Sequence, residues 1–364
     1  MTADDVTLNL ILPVGISFYT FQALSYSIDV YRREIKATRD VAAFFSFISF
    51  FPQLVAGPIE RATNLLPQFL KNRTFDYSDA VEGMKLILWG LFKKVLVADN
   101  CARVVNLVFA YYTDLGALNL WEGAILFTFQ IYGDFSGYSD IAIGSAKLFG
   151  INLMRNFDRP YFSKSIPEFW QRWHISLQSW FRDYIYIPLG GSRKGRTKTA
   201  RNTAVVFLIS GLWHGANWTF IAWGLYHALL FTPKFLQNKD KRTELTDSKL
   251  KPFRESTAMA ATFMLVVVGW VIFRSDTLSD AIHYIGGMFT DWRYVGPFEG
   301  RLAVVSILLL VFGELISRGR PQPFNFPAKG IFSYRMVRWI IYIFVYTLTI
   351  TMSGNKTEFI YFQF

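Results

Sequence analysis

Long apolar runs dominate the end of the chain, at residues 257–273, 301–317 and 339–352. An α-helix rises 1.5 Å per residue, so runs of this length approach the roughly 30 Å thickness of a bilayer core. An earlier run, Leu8–Tyr31, is longer, and Pro13 and Gly15 are expected to bend its start. Of all residues 52% are hydrophobic and only 18% are charged. The sequence therefore predicts an all-α, polytopic integral membrane protein with a single domain over residues 1–364.

The basic residues lie in loops between the apolar runs. The formal net charge is +11, but no segment forms one cationic face, so we expect no nucleic-acid partner. We interpret the basic loops as markers of the cytoplasmic side of the membrane, by the positive-inside rule. Residues 192–202 hold five basic side chains and no acidic one, and residues 234–254 hold seven basic and three acidic. Both are predicted to be cytoplasmic. Residues 203–231 must then enter the membrane, turn near 211–217 and return.

Three other segments carry structural signals. Residues 41–58 are apolar but contain proline and glycine, which predicts a short or re-entrant segment sheltered by protein. Residues 81–98 and 121–151 are each predicted to be one helix. The second contains Gly133 and Gly137, whose spacing allows another helix to approach closely.

Asp134 and Asp140 lie within that glycine-containing helix. Carboxylates inside a membrane are often functional, so Asp134 is a candidate for the substrate path. The alternative is that both hydrogen-bond to neighbouring helices. Cys101 is the only cysteine, which excludes an internal disulfide framework, and we interpret it as a packing residue.

Three of the four histidines fall in residues 155–231, which we predict to be the segment carrying the catalytic motifs. Histidine exchanges a proton near neutral pH and is costly to keep in hydrocarbon without a use. His214 and His174 are the candidates for chemistry, although each could instead be a packed ring with satisfied nitrogens. We interpret His227 as a packing residue and His283 as a solvated one.

Residues 156–188 mix many charges with many aromatic side chains. This composition predicts helices along the membrane surface or around a polar vestibule. Ser165 is a predicted helix cap. On the helix that follows, Trp170, Trp173 and His174 are spaced to share one face.

No metal site is predicted. His174, His214 and Asp183 could supply ligands, but no paired-ligand spacing such as HExxH supports them. A GxSxG elbow and a Walker loop are also missing from the sequence.

Two interpretations fit the basic loop that contains Arg193, Lys194 and Arg196. It could hold the phosphates of a carrier such as coenzyme A, or an acidic carrier protein, at the cytoplasmic surface. It could also serve membrane topology alone.

The stretches WQRWHISLQSWFRDYIYIPLGGSRKG and LISGLWHGANWTFIAWGLYHA, in this order, resemble the membrane-bound O-acyltransferase (MBOAT) family. The segments LPVGISFYTFQALSYSIDVYR, ISFFPQLVAGPIERATNLLPQF, QIYGDFSGYSDIAIGSAKLFGI and FIYFQF resemble its bacterial branch, which includes alginate and peptidoglycan O-acetylases and the teichoic-acid D-alanylation protein. The resemblance covers essentially the whole chain.

The resemblance implies a multi-helix bundle with re-entrant helices around a central funnel or tunnel, in the bacterial inner membrane. It maps the family's near-invariant histidine onto His214 and its second histidine onto His174. It also implies further helices before Leu12, so we expect the chain to be N-terminally truncated. The supporting residues that we expect along the substrate path are Trp170, Trp173, Arg182, Asp183, Trp213, Asn217 and Asp134.

The expected reaction is transfer of acetyl from a cytoplasmic thioester, acetyl-CoA or an acyl-carrier protein, for O-acetylation of an alginate-like polysaccharide. No bound cofactor is expected. The immediate acceptor would be the polysaccharide or an extracytoplasmic SGNH-type acetyltransferase partner. The alternatives are D-alanyl or other acyl transfer, a transporter, and a scaffold of an export complex.

Overall fold

The computed structural model describes residues 15–236, 251–296, 300–320, 324–326, 330–354, 357 and 359–360. The predicted start of the first helix at Leu8, the expected truncation before Leu12, most of the predicted cytoplasmic segment 234–254 and most of the terminal FIYFQF segment lie outside these residues.

The described part of the chain is helical and has no strand, which confirms the all-α prediction for it. The α-helices are α1 Ile16–Tyr31, α2 Val41–Ile48, α3 Ala62–Leu70, α4 Tyr77–Leu91, α5 Asp99–Ala110, α6 Ala117–Leu148, α7 Ile166–Arg172, α8 Ile175–Phe181, α9 Arg196–His214, α10 Trp218–Leu236, α11 Lys251–Arg274, α12 Leu278–Gly287, α13 Arg301–Ile316 and α14 Arg335–Thr351. The π-helical segments Phe92–Ala98 and Arg182–Tyr186 continue α4 and α8.

One helix among the described residues is both long and apolar enough to cross a membrane, Pro252–Arg274 within α11. It contains the first of the three predicted apolar runs. Helices α13 and α14 coincide with the other two runs but have only 16 and 17 residues. The multi-pass topology therefore stays a prediction.

Helix α6 is the central element of the fold. It has 32 residues, and most of its side chains are buried. Glycines of α6 lie against the backbone of α4 and its π-helical continuation, since a Cβ added at Gly137 or Gly144 would lie 2.8 or 2.5 Å from the carbonyl oxygens of Gly90 and Gly83. The predicted close approach at the glycine face is thus confirmed.

Helices α9 and α10 form an antiparallel hairpin, which confirms the predicted turn near 211–217. The arms touch backbone to backbone, because a Cβ at Gly211 would lie 2.3 Å from the Phe220 carbonyl oxygen and one at Gly224 would lie 2.5 Å from that of Phe207. The turn places His214 at the last position of α9.

One sequence prediction is wrong. The acidic segment 274–300 follows an apolar run, and the sequence predicts it to be an external loop, but it contains α12, which begins with a capping box between Thr277 and Asp280. In residues 156–188 many aromatic side chains are in the protein core, and Trp170, Trp173 and Trp180 are at most 6% exposed. The position of this segment at the membrane surface or around a polar vestibule stays a prediction.

Candidate active site

His174 lies between two short helices. Ser165 caps α7 as predicted, accepting the Glu168 N–H at 3.3 Å, but α7 ends at Arg172. His174 then adopts φ 47° and ψ 52°, the left-handed region, and serves as the N-cap of α8. The predicted shared helical face of Trp170, Trp173 and His174 is therefore wrong. A non-glycine residue in this region is held there by its surroundings, and such positions are often functional.

Asn156 fixes the protonation pattern of the His174 ring. The Asn156 Oδ1 atom accepts the Ser176 N–H and hydroxyl at 3.3 and 2.9 Å, and its Nδ2 donates to Ser139 Oγ at 3.2 Å. Oδ1 is thus the acceptor toward His174 Nδ1, 3.1 Å away. In the neutral ring Nδ1 then carries the proton and Nε2 keeps a lone pair. This Nε2 is buried and has no hydrogen-bond partner among the described residues.

Aromatic rings hold the imidazole of His174 in place. Phe135 meets it edge to face with 4.6 Å between ring centroids, and Phe18 and Phe157 stack on it at 6.3 and 6.4 Å. His174 is only 2% exposed. These contacts leave the ring few alternative orientations.

His214 ends the first arm of the hairpin and is only half-buried. The centroids of Trp223 and Phe273 lie 5.4 and 5.0 Å from its ring, both edge to face. Trp213 lies between the two histidines, with its ring 4.7 Å from His214 and 6.2 Å from His174. Gly215 follows directly and lets the chain turn into α10.

His174 and His214 line the same internal cavity, of about 20 Å³. This volume is enough for about one water molecule. The other residues that line it are Ile131, Phe135, Trp170, Trp173, Leu177, Gln178, Ser210, Trp223, Trp270, Phe273 and Ile360. The structure thus brings together two imidazoles that lie forty residues apart in sequence, surrounded by indole and phenyl rings.

The wall of this cavity contains buried polar atoms that lack partners. Besides His174 Nε2, the indole Nε1 of Trp223 has no hydrogen-bond partner among the described residues. Buried polar groups are nearly always hydrogen-bonded, so orphaned ones beside a cavity indicate a place for a polar ligand or water. A lone pair and an N–H donor at one small cavity suit a group that must both donate and accept.

Not all predicted site residues meet at the cavity. Trp170 and Trp173 line it, and Trp213 contacts both histidine rings. Asn217 lies in the hairpin turn, where its Nδ2 donates to the Asp276 carbonyl at 2.9 Å and ties the turn to the end of α11.

The predicted polar pair Arg182 and Asp183 is absent from the residues that line the cavity. Arg182 is 63% exposed and pairs with Asp183, whose carboxylate also binds Arg61 at 3.1 Å. The three side chains form a charged cluster elsewhere on the protein.

Asp134 also has another role. Its carboxylate pairs with Lys94 at 2.7 Å and accepts the Ile360 N–H at 2.7 Å. Asp140 pairs with Lys93 at 2.6 Å. Both aspartates therefore join α6 to the π-helical segment that follows α4, which is the alternative that the sequence left open, and Asp134 also joins α6 to the C-terminal segment.

The basic loop lies far from the histidines. Arg193, Lys194 and Arg196 are exposed at the start of α9, and His214 ends the same helix. Eighteen residues of helix separate Arg196 from His214, about 27 Å at 1.5 Å per residue.

The remaining histidines and the cysteine have the environments that were predicted for them. His227 is 1% exposed and accepts the Trp170 indole N–H at 3.3 Å. His283 is exposed, and Cys101 is fully buried. As a separate finding, no group of three His, Cys, Asp or Glu side chains across the described ranges is placed to hold a metal ion.

Sequence reasoning missed Asn156. The residue lies eighteen positions before His174, and neither spacing nor composition connects the two. The NFDRP stretch at residues 156–160, near the start of the segment that holds three histidines, was the only signal. Phe157, Trp223, Trp270 and Phe273 were also missed, because aromatic residues are too common in this chain to stand out.

The sequence of the chain matches those of known proteins over most of its length. The profile of the family described as "MBOAT, membrane-bound O-acyltransferase family" matches residues 30–247. The chain is 40% identical to "Probable alginate O-acetylase AlgI" of Pseudomonas putida, over 98% of this chain and 76% of that protein.

Two other relatives are more distant. The chain is 38% identical to the peptidoglycan O-acetyltransferase of Helicobacter pylori, over 78% of this chain and 58% of that protein. It is 31% identical to the teichoic acid D-alanyltransferase of Bacillus subtilis, over 73% of this chain and 69% of that protein.

The chain spans 57% to 76% of the length of the AlgI proteins that it matches. The family profile covers more than half of the chain, and it includes Asn156, His174 and His214. The chain belongs to the membrane-bound O-acyltransferase family.

Proposed function

We propose that the protein transfers an acetyl group from a thioester donor to a hydroxyl group, in the O-acetylation of an extracellular or cell-wall polysaccharide. The observation that carries the proposal is the cavity lined by both His174 and His214. The names of the relatives, alginate O-acetylase and peptidoglycan O-acetyltransferase, support acetyl as the acyl group and a polysaccharide as the final acceptor.

His214 acts as the general base in this mechanism. It is the more exposed of the two rings and lies at the hairpin turn, where an acceptor hydroxyl can approach. Its imidazole takes the hydroxyl proton while the oxygen attacks the thioester carbonyl carbon. The carbon–sulfur bond then breaks, and the departing thiolate recovers the proton from His214. Positioned proton transfer of this kind contributes about 10²- to 10⁴-fold to rate.

His174 orients the reactants. With Nδ1–H held by Asn156, its Nε2 lone pair accepts a hydrogen bond from a second donor group of the substrates, while the proton of the attacking hydroxyl goes to His214. The cavity holds about one water-sized group. The thioester therefore enters by displacing aromatic side chains of the wall, and this wall keeps bulk water away from the activated ester.

The reaction connects two sides of a membrane. We place the protein in the bacterial inner membrane as a multi-pass protein, with the donor on the cytoplasmic side and the acceptor outside. The acceptor is the polysaccharide itself or a hydroxyl of an extracytoplasmic SGNH-type acetyltransferase. Acetyl-CoA or an acyl-carrier protein supplies the acetyl group.

Histidine variants test the function. Membrane vesicles with the protein are incubated with acetyl-labelled coenzyme A, and free thiol and acetylated product are measured. His214→Ala should lower transfer at least about a hundredfold while the protein still inserts and accumulates. His283→Ala, at an exposed histidine, serves as the matched control and should transfer normally.

The same assay tests the other classes of function. A transporter would leave the thioester intact, and a scaffold would tolerate loss of both His174 and His214. Either result would refute the proposal.

D-alanyl transfer is a second candidate, because teichoic acid D-alanyltransferases of Bacillus subtilis and Streptococcus thermophilus are 31% and 29% identical to the chain. Supplying a D-alanyl thioester in place of the acetyl thioester distinguishes the two. Faster transfer of D-alanine would favour this candidate.

A further inference from the structure

A strongly basic cleft opens beside the histidine cavity. It consists of two adjoining cavities of about 240 and 510 Å³ that share Arg155, Arg159, Glu314 and Arg320. Seven of the side chains that line it are basic and three are acidic. We call it the arginine cleft, after Arg155, Arg159, Arg172, Arg318 and Arg320.

Arg159 holds the two walls of the cleft together. Its guanidinium donates to the carbonyl oxygens of Ser317 and Arg320 at 2.6 and 2.8 Å, and so holds the turn after α13 against residues 155–160. The residue itself adopts φ 48°, a left-handed backbone that a non-glycine residue takes up only when its surroundings require it. The turn that carries Arg318 is thus fixed in place.

Other arginines of the cleft remain available to a ligand. Arg318 is exposed, and its guanidinium forms no hydrogen bond or ion pair within the described part of the chain. Arg155 is 44% exposed; its Nη2 forms an exposed ion pair with Asp158 at 2.9 Å, and its Nε donates to the Phe157 carbonyl oxygen at 2.8 Å. Exposed ion pairs of this kind are worth little and are easily exchanged for a stronger partner.

The guanidinium groups of the cleft favour a ligand that carries phosphate. Guanidinium groups stay charged and bind phosphate oxygens in a bidentate fork. The volume of the larger part, 510 Å³, lies in the range of small-molecule sites, about 300–1,000 Å³. A phosphorylated small molecule or cofactor arm therefore fits in size and charge.

One layer of side chains separates the cleft from the histidine cavity. Phe157 lines the cleft and also stacks on His174, with 6.4 Å between ring centroids. Tyr132 lines the cleft and lies 6.1 Å from the ring of Trp173, which lines the histidine cavity. A ligand whose phosphate binds the arginines can thus extend past these rings to the histidines.

We propose that the arginine cleft binds the phosphate groups of the thioester donor, with Arg155 and Arg318 as direct contacts, so that the acyl end reaches the histidine cavity past Phe157. The inference rests on the proposed function. It assigns the donor phosphates to a place other than the basic loop of residues 193–196, which lies at the opposite end of α9 from His214. The cleft opens at the end of α13 that leads into Arg318 and Arg320, a loop whose basic residues indicate the cytoplasmic side.

Binding without turnover tests the site. The full protein with His214→Ala is placed in lipid nanodiscs, and coenzyme A binding is measured by calorimetry at two salt concentrations. Adding Arg155→Ala and Arg318→Ala should weaken binding about tenfold each, as expected for charge-assisted hydrogen bonds. Arg301→Ala, at the other end of α13, is the matched control and should leave binding unchanged. Because no transfer is measured, failure of the proposed acetyl transfer would not affect this result.

Two further binding experiments identify the donor molecule whose phosphate groups bind the cleft. Competition by inorganic pyrophosphate indicates a nucleotide donor such as coenzyme A. Arginine-dependent binding of a phosphopantetheine-bearing carrier protein, without coenzyme A binding, indicates a carrier donor; either result supports the cleft. The proposal is overturned if Arg155→Ala and Arg318→Ala weaken the binding of neither coenzyme A nor the carrier protein. It is also overturned if binding is weakened only when Arg193, Lys194 and Arg196 are neutralised. Thermal unfolding of each variant verifies that it is folded.

Discussion

The Nδ1 atom of His174 lies 3.1 Å from Oδ1 of Asn156, an oxygen that is committed to accepting by its two contacts with Ser176. The amide therefore selects the tautomer whose lone pair is on Nε2. The backbone carbonyl of Asn156 also accepts the Ile175 N–H at 2.8 Å. Side chain and backbone of one residue thus position both the histidine and the start of α8.

Replacing Asn156 by alanine should impair transfer by loss of this tautomer control. We expect kcat to fall about ten- to hundredfold, part of the effect of positioned proton transfer, with a smaller change in KM and an altered pH profile. Ser139→Ala is the control, because it removes only the partner of the Asn156 Nδ2 group. Equal losses in the two variants would mean that Asn156 acts through packing alone.

The hairpin of α9 and α10 should be intolerant of side chains at its contact face. Gly211→Val places a Cβ 2.3 Å from the Phe220 carbonyl oxygen, and the arms must separate. Overpacking of this kind destabilises by about 1–3 kcal/mol or more. We expect a lower Tm and loss of transfer, since His214 lies one turn further on.

A glycine with free space is the control for Gly211. A Cβ at Gly286 in α12 meets nothing within 4 Å, so Gly286→Ala should leave Tm unchanged or slightly raised. Both variants are compared by thermal unfolding in detergent. A Gly211→Val protein with normal Tm and transfer would show that the arms are not tightly packed.

Tyr132 and Glu314 form a buried pair between α6 and α13, in which the tyrosine hydroxyl donates to the carboxyl group. Tyr132→Phe leaves Glu314 buried without this donor and should destabilise the protein by about 1–3 kcal/mol. Adding Glu314→Leu removes the orphaned group and should recover much of the loss. A double-mutant cycle of unfolding free energies measures the coupling, and purely additive effects would exclude it.

The sequence predicted the helices better than the points at which the chain changes direction between them. The hairpin was predictable because basic segments flank an apolar run with glycines near its middle, and α6 because its run is long. The change of direction at His174 was not predictable, since the local spacing also suits one continuous helix. Asn156 and a shell of rings impose the left-handed backbone there, and these contacts arise only in the folded chain.

The same limit explains the misplaced polar residues. Asp183 looked like part of the site because it follows the histidine motif closely in sequence. Its partner Arg61 lies 122 positions earlier, and that pairing draws the carboxylate into the charged cluster with Arg182. The two histidines were recognisable because histidine is costly to keep in hydrocarbon without a use, and the structure places both at one cavity.

Asp134 should anchor the C-terminal segment rather than contact substrate. It accepts the Ile360 N–H and pairs with Lys94, while Thr357 donates to Asp99, the second partner of Lys94. Ile360 in turn lines the histidine cavity.

Asp134→Ala removes the contacts with Ile360 and Lys94 and should free the C-terminal segment. We expect faster amide hydrogen exchange at residues 357 and 360 and a more open cavity wall. Asp134→Asn keeps an acceptor for Ile360 and loses only the charge, so its exchange should lie between those of Asp134→Ala and the unmodified protein. If Asp134→Ala abolished transfer with no change in exchange, Asp134 would act on the substrate directly and the anchoring role would be wrong.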